Sequence, residues 1–189
     1  QANDMGFRIK LPGVSQMTER GLEQRMSPCL VPKSSPLGQL EGGTNMVVLE
    51  GDEVSQIVLR GPGAGQGPTA SAVLSDIVEI ARGTRLPTFG KPAQLLEQPK
   101  PSSTVTEAPY YIRLRLQDKP GALAKIATVL GEEGVSIDQM RQYDHSYETA
   151  PVLIVTHKTA REALNRALLN MPQTGVLEGI PVAIRIEHV

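Results

Sequence analysis

An α+β chain in two parts is what the sequence predicts: a β-rich N-terminal region closed by one helix, then two helices on one antiparallel sheet. Three observations carry that expectation. Tyr110, Ile112, Leu114 and Leu116 alternate with Tyr111, Arg113, Arg115 and Gln117, the pattern of a strand with one wet face. The residues that follow read helix, strand, strand, helix, strand, which completes the order β-α-β-β-α-β. Ahead of them Pro87, Pro92, Pro99, Pro101 and Pro109 punctuate a stretch that also holds Ser102, Ser103 and Thr104. It reads as a linker at 87–107 between a region at 1–86 and a domain at 108–189.

In the first region, Phe7 to Leu11 and Met46 to Glu50 have strand composition, and Gly51-Asp52 turns the second back into Val54 to Arg60 as a hairpin. From Pro68 the pattern becomes helical. Pro68 suits a first helical position, Val73, Ile77, Ile80 and Ala81 share a face, and Gly83 stops the run. One hairpin and one helix bury too little apolar surface to stand alone, so a partner domain or subunit should cover them.

After the linker, Pro120 opens a helix whose Leu123, Ile126, Ala127 and Leu130 form a stripe, with Gly134 as its left-handed cap. A strand covers Val135 to about Arg141, and Val152 to Val155 are continuously apolar, as a buried strand would be. The second helix starts at Thr159, with Glu162 completing a capping box. Leu164, Ala167, Leu168 and Met171 supply its stripe, and Pro172 ends it. The last strand sets Val182, Ile184 and Ile186 against Ala183, Arg185 and Glu187.

Composition excludes several function classes. With 19 basic and 20 acidic side chains and 3% aromatics, the 189 residues carry neither the charge nor the stacking surface of a nucleic-acid binder. There is no apolar run long enough for a membrane span and no secretory signal, so a cytoplasmic setting is expected. Cys29 is the only cysteine, which rules out an intrachain disulfide and fits a reducing cytosol. With no histidine near it in sequence, it reads as a buried structural thiol rather than a nucleophile. His145, His157 and His188 lie too far apart in sequence for a zinc motif. Asp144 and His145 fall in the expected hairpin turn, and Glu132-Glu133 at a helix end read as solvated.

GPGAGQGPTASAV, Gly61 to Val73, is the most informative stretch, because a glycine-rich loop there passes from strand to helix. Glycines let backbone approach a phosphate or amide closely, and the first helical N–H groups have no partner of their own. The motif is weak by itself: Gln66 stands where G-x-G-x-x-G needs glycine, and no P-loop lysine follows. Thr69 and Ser71 are helix-cap candidates.

DKPGALAKIATVLGEEGVSI, Asp118 to Ile137, resembles the start of an ACT domain, a ferredoxin-like amino-acid-sensing module, and the similarity runs on to Val189. The resemblance places an effector at Gly121, Ala122 and Leu123 with Val135, Ser136 and Ile137, usually between paired domains. The alternative is that Pro120-Gly121 is helix-start chemistry in a domain that only dimerises. Gly42 to Ala81 resembles the end of the catalytic region of homoserine dehydrogenase. That resemblance implies a parent enzyme that interconverts L-homoserine and L-aspartate 4-semialdehyde with NAD or NADP, in threonine and methionine biosynthesis. It implies cofactor contact for Gly63, Ala64 and Gly65, threonine as effector, and a homo-oligomer. The family's nucleotide-binding domain and catalytic residues are not in these residues, and Lys10 and Lys33 read as solvated charges. A non-enzymatic amino-acid-binding module is the alternative function.

Overall fold

The computed structural model describes residues 2–87, 89–143 and 148–188. In chain order its elements are β1 (Phe7–Lys10), β2 (Gly13–Thr18), β3 (Gly21–Met26), β4 (Cys29–Pro32), β5 (Thr44–Gly51), β6 (Ser55–Pro62) and α1 (Gln66–Ala81). There follow β7 (Tyr110–Gln117), α2 (Ala122–Glu132), β8 (Ile137–Gln142), β9 (Thr149–Thr156), α3 (Arg161–Asn170) and β10 (Val182–Ile186). They divide into two compact units, 1–33 with 101–188, and 34–100.

In the first unit the predicted βαββαβ order is present. Strands β10, β7, β9 and β8 lie side by side in that order, every neighbour antiparallel, which is the ferredoxin-like arrangement. The sheet does not stop at β10. Strand β4 adds in parallel, with Ile186 opposite Leu30, and β1 pairs antiparallel with β4. Residues 1–33 and the segment 101–107 therefore belong with the C-terminal sheet, whereas the sequence reading had set both apart from it. The reason is an edge left open at β10. A short apolar run, Cys29 to Val31, satisfies its backbone and becomes almost wholly buried.

Both sheet faces are covered. Tyr110, Ile112, Leu114 and Leu116 meet Ile126 and Leu130 of α2 and Leu164, Ala167 and Met171 of α3 and its following turn. On the opposite face Tyr111, Leu153, Val155, Leu30 and Ile186 cluster, with Ala2, Met5, Phe7 and Tyr143 packed on them. The alternation in β7 was legible, but its second face is wet only at Arg113 and Arg115, because Tyr111 is buried under the N-terminal residues.

Several local expectations change. The stripe of α2 is Ala122, Ile126 and Leu130, and Ala127 is exposed. Val135 and Ser136 precede β8, which begins at Ile137. No capping box forms at Thr159, since the N-cap of α3 is Ala160 without a side-chain bond. The backbone of Thr159 instead exchanges hydrogen bonds with Ala108 at 3.0 and 3.3 Å. Pro172 does not end the helical path at once, because a 3-10 turn carries it through Met171–Thr174. Glu133 is not merely solvated: its carboxylate accepts from Arg166 Nε at 2.7 Å and Asn170 Nδ2 at 3.0 Å, tying α2 to α3. The expected turn at Asp144-His145 lies outside the described residues.

The second unit holds the predicted hairpin, β5 and β6 paired from Thr44 opposite Pro62 to Gly51 opposite Ser55, and α1. Helix α1 starts two residues before Pro68, which takes its third position, and Gly83 ends it with φ +76°. Residues 41–100 contain no buried residue among those described, as the shortage of core-forming sequence predicts.

Ile126→Ala should cost about 2–5 kcal/mol in urea unfolding, while Ala127→Ser should stay within about 0.5 kcal/mol. Equal costs would contradict the observed facing of α2.

Candidate functional site

The glycine-rich loop leaves the open end of the β5–β6 hairpin, where Asn45 stands opposite Gly61. Gly63 packs so closely on Asn45 that a Cβ there would overlap the side-chain amide. Gly65 is the N-cap of α1 at φ +122°, a conformation side chains rarely adopt, and its carbonyl accepts the first helical bond from Thr69 N at 3.1 Å. Two of the three loop positions thus require glycine for different physical reasons. Thr69 and Ser71 both sit inside the helix, and no side chain caps α1. Gly63, Ala64 and Gly65 are exposed at a helix N-terminus, a place where backbone N–H groups and the helix dipole favour anionic or carbonyl groups.

That junction sits beside uncovered apolar surface. Val47, Leu49 and Leu59 of the hairpin and Val73, Leu74 and Ile77 of α1 each leave half or more of their area exposed. Such a concentration is abnormal for a finished surface.

At the second predicted site, Gly121 is the N-cap of α2 with φ +84°, exposed, and with open space where a side chain would point. Ala122 and Val135 have their side chains in the core, so only their backbone is available to a ligand. Leu123 is half-buried. Ser136 is exposed, its carbonyl accepts from His157 N at 2.9 Å, and Ile137 pairs with Thr156. The two halves of the predicted set lie at opposite ends of α2. Eleven helical residues span about 16 Å, more than one amino-acid zwitterion bridges. One chain therefore does not bring Gly121–Leu123 and Val135–Ile137 into one site.

What adjoins the Gly121 turn is a cleft of about 400 Å³ lined by Gln117, Asp118, Lys119, Glu148, Thr149 and Glu178, among others. Backbone bonds assemble it from distant segments: Asp118 N to Glu148 O at 2.9 Å, Gln117 N to Val176 O at 2.9 Å, and Glu178 N to Arg115 O at 2.8 Å. Sequence reasoning missed Glu148, Thr149 and Glu178, and no local signal marks them.

The other feature it missed is a buried charge network. Arg25 donates to both oxygens of Glu187, at 3.0 and 2.9 Å, and pairs with Glu23. Arg185 Nε donates to the same Glu187 at 2.7 Å, and its Nη1 reaches Thr106 O at 2.7 Å. Glu23 accepts from the Thr106 amide at 2.9 Å and hydroxyl at 2.6 Å. Burial pushes the Glu23 carboxyl up, but the Thr106 and Arg25 bonds outweigh it and hold the group below its ordinary value. Burial pulls the Arg185 guanidinium down, but the Glu187 charge and hydrogen bond outweigh it and hold the group above its ordinary value.

Cys29 is buried beside this network, as expected of a structural thiol, and burial followed by the Glu187 charge pushes its pKa up to about 11. Lys10 and Lys33 are half-buried. His157 lies 3.9 Å from Asp138, and among the described residues no group of three metal-ligating side chains converges. No helix among them is long and apolar enough to cross a membrane.

Comparison with known proteins defines the class first: an oxidoreductase family at residues 1–78, described as homoserine dehydrogenase, followed by an ACT domain at 110–172. Homoserine dehydrogenase of Pseudomonas aeruginosa is 33% identical over 99% of this chain and 45% of that protein, and that of Neisseria gonorrhoeae 36% identical over 98% and 45%. A crystal structure of a homoserine dehydrogenase from Thiobacillus denitrificans superposes with a TM-score of 0.85 at 32% identity, covering 99% of this chain and 44% of that one. The chain thus holds a homoserine dehydrogenase family domain at 1–78 and an ACT domain at 110–172, corresponds to the C-terminal part of the relatives it matches, and spans about half their length.

A raised thiol pKa favours the folded state while the thiol is protonated. Its contribution is complete below the ordinary value of 9.0 and is lost as pH rises through about 11. Wild type should lose stability over that interval relative to Cys29→Ala, and a thiol reagent at neutral pH should label Cys29 only on unfolding. Rapid labelling of the native chain would contradict its burial.

Proposed function

We propose that the complete polypeptide carrying this chain is an NAD- or NADP-dependent homoserine dehydrogenase with a regulatory ACT domain. In this reading residues 1–86 belong to the catalytic region, 108–189 carry regulation, and 87–107 connect them. The observation that carries it is the exposed glycine-rich junction, whose two positions that require glycine, Gly63 by packing and Gly65 by conformation, fall within the residues that match the dehydrogenase family. The uncovered apolar surface of the hairpin and α1 supports the same reading, since the larger relatives have further chain with which to cover it.

A nicotinamide cofactor fits the junction: Gly63, Ala64 and Gly65 are exposed, and Gly65 presents the helix N-terminus without a side chain. Gly63, Ala64 and Gly65 would hold it through backbone groups. When bound there, the nicotinamide would supply the hydride acceptor for oxidation of the hydroxyl-bearing carbon of L-homoserine to the aldehyde of L-aspartate 4-semialdehyde. The part of this chain is to position the cofactor and exclude water, and the proton-transfer groups lie elsewhere in the polypeptide.

For regulation, an amino acid, threonine by family resemblance, binds between two copies of the chain. Its carboxylate sits at the Gly121 end of α2 in one copy, and Ser136 and Ile137 come from the other. The 16 Å or so between these groups in one chain favours the paired site over a single-chain one. The reading includes a homo-oligomer in the cytoplasm.

Homoserine-dependent reduction of NAD or NADP by the complete polypeptide tests the proposal. Turnover is expected, with Gly65→Ala lowering kcat/KM for the cofactor about tenfold or more, because alanine at that φ is strained by roughly 1–3 kcal/mol. Stabilisation by threonine with no turnover in any form would replace the enzyme with an amino-acid-binding module.

A further inference from the structure

The chain passes between its two compact units twice, after Lys33 and before Pro101. Both exits are tied down. At the first, Lys33 N donates to Gly6 O at 2.8 Å, and the preceding β4 accepts Glu187 N at Leu30 O, also at 2.8 Å. At the second, Pro101 bridges Leu22, Ser102 N donates to Leu22 O at 2.8 Å, and Arg20 reaches the Thr104 hydroxyl at 2.9 Å. Thr106 then joins both ends of the charge network, donating to Glu23 and accepting from Arg185.

Three buried charges and a half-buried one are a costly way to fasten strands, since well-packed apolar side chains often hold as well or better. What the charged groups add is geometry. The fork of Arg25 fits both oxygens of Glu187, and any slip of the 101–107 segment along β3 breaks both Thr106 bonds to Glu23 and the Arg185 bond to Thr106 O. The segment therefore has one seated position, and leaving it has a discrete cost.

We propose that Glu23, Arg25, Arg185 and Glu187 with Thr106 form a coupling clasp: positioning residues that hold both chain exits on the ACT sheet and pass ligand occupation of the ACT domain to residues 34–100. This rests on the effector reading given above. Ligand binding alters a distant activity only through an element whose state both sites bias, and this seated segment is such an element.

The test uses the complete polypeptide as wild type, Thr106→Val, Thr106→Ser and Arg25→Lys. Two quantities are read: the threonine dissociation constant by calorimetry, and the ratio of kcat/KM for homoserine without and with saturating threonine. Thr106→Val removes the hydroxyl bond to Glu23 and keeps the shape and the amide bond. It should lower that ratio about fivefold or more, the scale of an ordinary allosteric coupling, with the dissociation constant within about twofold of wild type. Thr106→Ser should restore the ratio, and Arg25→Lys, which keeps the charge but loses the fork, should lower it further. An unchanged ratio in both Thr106→Val and Arg25→Lys, or a loss that Thr106→Ser does not recover, overturns the clasp while the effector reading stands. A wild type that binds no threonine overturns the effector reading and the clasp with it.

Discussion

Glu187 accepts from two arginines at the end of the last strand, and the arrangement of the first unit depends on that meeting. Its two oxygens face Arg25 from β3 and Arg185 from β10, so β3 and the end of β10 must stay together for the Arg25 fork to remain on Glu187. Its amide is bonded to Leu30 O, which fixes β4 alongside β10. With β4 in place, β1 has an edge to pair with, and the N-terminal residues cover Tyr111, Leu153 and Val155. A four-stranded sandwich with one wet face has become a six-stranded sheet protected on both sides.

The second unit follows the opposite logic. Its strands pair with each other and α1 is bonded within itself, yet no described residue of 41–100 is buried. Local hydrogen bonding and glycine conformation shape these elements, but burial does not hold them. Most stability of such elements in proteins comes from tertiary packing, and here Val47, Leu49, Leu59, Val73, Leu74 and Ile77 are left exposed. The same exposure leaves the Gly63–Gly65 junction open, which is what a close backbone contact with a cofactor needs.

The parts legible in the sequence were those governed by local patterning. Alternation located β7, the apolar stripes located α2 and α3, and Gly51-Asp52 located the hairpin, because each signal is read within a few residues. The failures were long-range. Strand β4 has four residues and ends in Pro32, β2 and β3 mix glycine with polar side chains, and none announces a partner more than a hundred residues away. Arg185 and Glu187 look like the wet side of a strand until Arg25 and Thr106 arrive to bury them. At the candidate sites, the demand for glycine at Gly65 and Gly121 was readable. The separation of Gly121 from Ser136 along α2 was also implicit in the helix length, whereas the cleft walls Glu148 and Glu178 depend on strand register and were not.

Amide hydrogen exchange across the whole chain tests most directly whether residues 1–33 and the ACT sheet are one cooperative body. The account predicts that amides of β1 and β4 open with free energies within about 1 kcal/mol of those in β7 and β9, far above those of residues 41–100. Exchange of β1 and β4 at the rate of residues 41–100, with β7 and β9 still protected, would contradict it.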